Sequence, residues 1–148
     1  MFAAIQAVAA SLGVEVSPVD GRDAGEVERA VTAFARGSNG GLIVVAGGLA
    51  ISQRDLIVGL AAQHRLPAVY GTRNFVIGGG LISYSHDPIE LYRKAAGYVD
   101  RILKGEKAGD LPVQAPTKYE TVLNLKTAKA LGLDVPDVVR LRADEVIE

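Results

Sequence analysis

Apolar positions along this chain alternate between a helical and an extended period, and each change of period predicts an element. Phe2, Ile5, Val8, Ala9 and Leu12 recur at helical spacing, and Gly13 is placed to end that helix. "VEVSPVD" (14–20) reads as a strand. "RDAGEVERAVTAFARG" returns to the helical period, with Val27, Ala30, Val31 and Phe34 as its buried stripe and Gly37 as its end. Asp23 is placed as N-cap and Glu26 follows three residues on, a capping-box arrangement. "GLIVVAGG" (41–48) is a continuous apolar run between glycines, the pattern of a strand buried on both faces of a parallel sheet. "SQRDLIVGLAAQHR" predicts a helix capped by Ser52, with Leu56, Ile57, Leu60 and Ala61 inward, and "LPAVYG" (66–71) a third strand.

After Gly71 the order changes. "GLISYS" (80–85) reads as a strand following a strand, across the glycines Gly78, Gly79 and Gly80. "DPIELYRKAAGYVDRILKG" is a helix with Asp87 as N-cap, Pro88 in its first position, Glu90 at the third and Gly105 beyond its end. "EKAGDLPVQAP" is a loop, "TKYETVLNL" (117–125) a strand, "KTAKALGL" a short helix, and "VPDVVRLRADEVIE" finishes the chain. Alternating helices and strands give an α/β fold, a parallel sheet with helices on both faces. One helix stands out. Ile89, Tyr92, Ala96, Val99 and Leu103 line one side of the 87–104 helix, and leaving that stripe in water would cost on the order of 10 kcal/mol at ~1.5–3 kcal/mol per large side chain. That is comparable with the ~5–15 kcal/mol stability of a whole domain, so the stripe demands a cover.

The chain is 148 residues long, enough for one ordinary domain. Its net charge is −1 with no basic block, which argues against binding nucleic acid through phosphate neutralisation. With no cysteine there is no disulfide, thiolate metal site or thiol nucleophile, and two distant histidines are a poor basis for a metal site or a triad. No cofactor or metal is expected. No segment approaches the ~20 apolar residues of a membrane span. The opening has no Lys or Arg before Arg22, so no export signal is expected in the chain as written. No nucleophile elbow or carboxylate pair in an identifiable cleft is visible, and the expectation is a protein that is not an enzyme.

The stretches "RILKGEKAGDLPVQAPTKYE", "NLKTAKALGL" and the terminal "RADEVIE" resemble the substrate-binding proteins of ABC transporters, of the uncharacterised and tryptophan-binding type. The resemblance is close over about residues 40–148 and compatible in pattern before that. It implies the periplasmic-binding-protein type I fold: two three-layer α/β lobes joined by crossing strands, with the ligand in the cleft between them. This chain corresponds to the C-terminal half. Residues 1–79 would form the body of the second lobe, 80–116 a hinge crossing with a first-lobe strand and helix, and 117–148 a return crossing strand, a short helix and the tail. Such a piece implies a fragment of a solute-binding component of an ABC importer, periplasmic by family, whose partners are a small organic ligand such as an amino acid and a membrane permease. Its uncovered 87–104 helix implies a homodimer. The alternatives are the effector-sensing domain of a regulator, or a dimerising fragment that binds no ligand.

By the same resemblance, the loops at the C-terminal ends of the second-lobe strands face the ligand, as open α/β sheets generally arrange. That singles out Gly47 and Gly48 after one strand and Tyr70, Arg73, Asn74 and Phe75 after the next, with Ser83 and Tyr84 on the crossing strand. Arg73 could pair a ligand carboxylate in bidentate fashion. Phe75 or Tyr84 could stack on an apolar portion, while Asn74 stands where relatives carry an acid. Gly78, Gly79 and Gly80 would serve as a hinge. The plainer readings are that Arg73 meets loop carbonyls or a surface carboxylate, that Tyr84 is core, and that the glycines around 41–48 serve tight packing. Arg22, Asp23, Glu26, Glu28 and Arg36 read as a solvated helix face.

Overall fold

The computed structural model describes residues 2–19 and 23–148. Helix α1 (Phe2–Ala9) runs on through a 3-10 turn (Ala10–Leu12) to Gly13, as the spacing predicts. The strand predicted next does not form. Residues 14–19 pair with no strand and stand off the sheet edge across an apolar trench of about 460 Å³, and Pro18 cannot donate to a ladder. Asp20, the end of that predicted strand, and Arg22 of the solvated face lie outside the described residues. Helix α2 (Ala24–Phe34) starts where Asp23 accepts the Glu26 N–H at 2.8 Å.

Strand β1 (Leu42–Val44) follows, shorter than its apolar run. The helix expected from Ser52 is instead two. Helix α3 (Gly48–Ser52) precedes α4 (Arg54–Gln63), and the Ser52 hydroxyl donates back to the Leu49 carbonyl rather than capping the second helix. Strand β2 (Ala68–Tyr70) leads to a short helix α5 (Arg73–Ile77), in a stretch read from sequence as loop and hinge. Strand β3 (Ile82–His86), helix α6 (Pro88–Leu103), strand β4 (Tyr119–Asn124), helices α7 (Leu125–Leu131) and α8 (Asp137–Arg142) and strand β5 (Glu145–Ile147) complete the chain.

The strands form one sheet in the order β1-β2-β3-β4-β5, with β1, β2 and β3 parallel, β4 antiparallel to β3, and β5 parallel to β4. Register places Tyr70, Ser83, Val122 and Glu145 in one row across β2 to β5, hence on one face. That face carries the core. Ala68, Tyr70 and Val122 pack with Val27 and Val31 of α2, Ile57, Leu60 and Ala61 of α4, and Phe75 and Val76 of α5. On the opposite face Ile43, Val69 and Tyr84 are exposed.

The three glycines after α5 have separate jobs. Gly78 caps α5, and Gly79 holds φ at 106°, in the left-handed region. At Gly80 a Cβ would stand 2.5 Å from Tyr70 Cε2 and 2.9 Å from the Phe75 carbonyl oxygen. The segment is also anchored, since Thr127 Oγ1 donates to the Gly79 carbonyl at 2.8 Å and the Gly80 N–H to the Phe75 carbonyl at 2.8 Å. Gly80→Ala is therefore expected to cost roughly 1–3 kcal/mol by forcing the Tyr70 ring aside. Gly47→Ala, with no atom within 4 Å of its Cβ position, is expected to change stability by less than about 0.5 kcal/mol. Urea unfolding midpoints of the two variants against the parent check both.

Candidate functional site

Parallel β1 and β2 end side by side, the Gly71 N–H donating to the Val44 carbonyl at 2.9 Å. The loops beyond them therefore share one edge of the sheet. Gly47 and Gly48 open α3 there, exposed, with empty space where a side chain would stand. Tight packing accounts for Gly40, under the Phe34 ring, and for Gly41, against the Pro67 carbonyl, but not for this second pair. Arg73 and Asn74 open α5 at the neighbouring strand end, Asn74 exposed and the Arg73 side chain 37% exposed.

The remaining predicted contacts are not brought to that edge. Tyr70 and Phe75 stack on one another with ring centroids 4.9 Å apart, and each is only 1% exposed. Burial pushes the Tyr70 hydroxyl up to about 12. Both rings are core, so Phe75 offers no free face for stacking on a ligand. The Ser83 hydroxyl is fully buried and has no hydrogen-bond partner among the described residues. Tyr84 points to the opposite face, 59% exposed, and stacks on Tyr119 at 5.3 Å; it is neither core nor beside Arg73.

What does meet Arg73 is a set of charges from distant segments. Its Nη2 donates to Glu145 Oε2 of β5 at 2.7 Å, and its Nη1 stands 4.0 Å from Glu120 Oε2 of β4. Lys118 lies 3.7 Å from Glu120 and donates to Asp87 Oδ2 at 2.8 Å. Asp87 in turn caps α6, accepting the N–H of Ile89 at 2.8 Å and, at longer range, that of Glu90. The Lys118 hydrogen bond, aided by those two N–H groups, holds the Asp87 carboxyl below the usual carboxylate range against the desolvation that opposes it. Reciprocally, Asp87 raises the Lys118 ammonium. Sequence reasoning placed the Asp87 cap but missed Glu120, Lys118 and Glu145 as neighbours of Arg73. No local spacing connects residue 73 with residue 145; only the pairing of β5 beside β4 does.

The family model of the ABC transporter substrate binding proteins matches residues 2–147. The chain belongs to that family. Among curated relatives, a "Tyrosine-binding protein" of Clostridioides difficile (strain R20291) is 27% identical over 121 residues, 82% of this chain and 33% of that protein. Among solved structures, an ABC domain in complex with L-Trp from Streptococcus pneumonia superposes with a TM-score of 0.87 at 25% identity, covering 98% of this chain and 50% of the other. A conserved domain protein from Vibrio cholerae O1 biovar El Tor str. N16961 shares the fold, with a TM-score of 0.88 at 24% identity over 98% of this chain and 49% of the other. The chain thus spans about half the length of these solved relatives and a third of the curated one.

The depressed Asp87 pKa carries a stability consequence. A carboxyl whose folded pKa lies below its unfolded value stabilises the fold above the unfolded value, near ~3.9, and that contribution is lost as pH falls through the folded pKa. Asp87→Asn keeps a capping side chain without the charge. It is expected to be less stable than the parent at neutral pH, with the difference closing as pH falls below about 4. Denaturation midpoints at a series of pH values test this, and a difference that stays constant down the series would contradict it.

Proposed function

We propose that this chain is the ligand-contacting lobe of a solute-binding component of an ABC-type importer. In this reading it holds a small organic ligand, an aromatic amino acid for example, in a cleft between this lobe and a second body, and hands it to a membrane permease outside the cytoplasm. The work is binding, with no covalent chemistry. Family membership supports the class, and the ligands named for relatives, L-Trp in one and tyrosine in another, support the type of solute. Within the lobe, the contacts proposed are Gly47, Gly48, Arg73 and Asn74, which share the edge beyond β1 and β2.

The observation that carries the two-body part of this reading is α6. None of its sixteen residues is buried, and Tyr92 and Leu103 are 79% and 81% exposed. Polar ties hold it to the rest of the chain: the Asp87 cap, Lys94 and Glu90 meeting Thr117, and the Tyr98 hydroxyl donating to the Pro112 carbonyl. An apolar helix face of this length supplies the core of an interface. In the whole importer component that cover would be the other lobe. For this chain alone we propose a homodimer that buries α6 against a second copy.

Two measurements test the reading. Light scattering across a dilution series is expected to give twice the chain mass, falling to one chain mass for the double variant Tyr92→Glu, Leu103→Glu. A monodisperse parent monomer would remove the dimer. Thermal unfolding with L-tryptophan or L-tyrosine is expected to shift Tm upward, by roughly 5–10 °C at a hundredfold excess over Kd. No shift with any amino acid would leave the solute-binding reading without support.

A further inference from the structure

The ion pair at Arg73 leaves much of its guanidinium unused. Among the described residues Nη2 alone is hydrogen-bonded, to Glu145 at 2.7 Å, while Nη1 stands 4.0 Å from Glu120, beyond hydrogen-bonding reach. The Arg73 and Glu145 side chains are 37% and 44% exposed, so water competes for both groups and the pair is weakly held. Along the chain of contacts, the carboxylates of Asp87, Glu120 and Glu145 face the cations Lys118 and Arg73, three negative charges against two positive. A ligand carrying only a carboxylate would add to that surplus and strand Glu145 without its cation. One carrying only an ammonium would meet a Glu145 carboxylate already engaged by Arg73. A molecule carrying both groups one carbon apart satisfies Arg73 and Glu145 together.

We infer that Arg73 and Glu145 form the recognition site for the zwitterionic head of a free amino acid, entered by exchange of partners. The ligand carboxylate takes the guanidinium fork of Arg73, and the ligand ammonium takes the Glu145 carboxylate. Two ion pairs stand where one stood, net charge is unchanged, and no covalent bond forms. Glu120, held by Lys118 on its far side, keeps a second carboxylate beside the guanidinium while Glu145 turns to the ammonium. Arg73 suits the task because its planar fork matches a carboxylate in bidentate geometry, which a lysine cannot do. It also stands just past the C-terminal end of β2, where open α/β sheets receive ligands. The inference rests on the solute-binding reading above and adds which protein atoms hold which end of the ligand.

The test is calorimetric titration of this chain with L-tryptophan, indole-3-propionate (carboxylate only) and tryptamine (ammonium only). The parent is expected to bind L-tryptophan roughly tenfold or more tightly than either analogue. In Glu145→Gln the two acids should move in opposite directions. L-tryptophan weakens by roughly tenfold for want of its ammonium partner, and indole-3-propionate tightens because the competing carboxylate is gone. Glu145→Asp should recover part of the L-tryptophan affinity. Arg73→Gln should weaken both acids and tighten tryptamine, because Glu145 then has no competing cation, which provides an independent reading if Glu145→Gln fails to fold. A purely structural role for the pair would move both acids the same way or neither, and that result overturns the site while leaving the solute-binding reading intact. Failure of all three probes to bind the parent overturns both.

Discussion

The Tyr70 ring is stacked on Phe75, and its Cε2 lies 2.5 Å from where a Gly80 Cβ would stand. This packing fixes three segments at once. It pins α5 over the end of β2, forces the chain to turn back at Gly79 and Gly80, and sets β3 beside β2 with Ser83 opposite Tyr70. From β3 the register passes to β4 and then β5. Arg73 opens the pinned helix, so the same contact that builds the core also decides where the guanidinium stands and brings Glu120 and Glu145 to it. Tyr70 and Phe75 serve the site by shaping it from beneath.

Local physics was legible in the sequence and long-range pairing was not. Asp87, Pro88 and Glu90 announced the start of α6, and Asp23 with Glu26 that of α2, because a cap is satisfied within three residues of chain. Helix α5 went unseen because only five residues separate Thr72 from Gly78; nothing in "RNFVI" shows a period, and burial of Phe75 and Val76 under the sheet is what holds it. Strand β5 is three residues long and exists through its pairing with β4, beyond any local signal. The reverse error occurred at 14–19, where a strand-like composition with no partner within reach yields no strand. Of the candidate site, the strand ends legible in the sequence place Gly47, Gly48, Arg73 and Asn74 beyond β1 and β2. Tyr70 and Tyr84 take faces of the sheet that the sequence does not announce, and Phe75 is turned into the core by a short helix with no local period.

Charge and apolar surface divide the labour differently in the two halves of the chain. The sheet and helices α2, α4 and α5 are held by an apolar core, whereas α6 is held by its cap and a few exposed polar contacts, each worth about 1 kcal/mol or less. Such a tether fixes where the helix begins more firmly than its direction, since none of its apolar side chains is buried. The energy available for fixing it lies in the uncovered stripe, at ~1.5–3 kcal/mol per large side chain buried. Whatever covers that stripe therefore sets the helix direction far more strongly than this chain does.

The tether and the site are joined through shared side chains. Asp87 caps α6 and binds Lys118; Lys118 flanks Glu120; Glu120 flanks Arg73. A body docking on α6 would press on this row at one end, and a ligand exchanging into the Arg73–Glu145 pair would rearrange it at the other. On the proposed reading, covering α6 and filling the cleft bias the same row of alternating charges. Reciprocity then follows from linkage: if docking favours one arrangement of that row and so strengthens ligand binding, the ligand must strengthen docking by the same factor. Because the row is half-exposed and its individual bonds are weak, the coupling it transmits alone should be modest and should fade with added salt, leaving direct contact across the cleft as the larger source of any stronger cooperation.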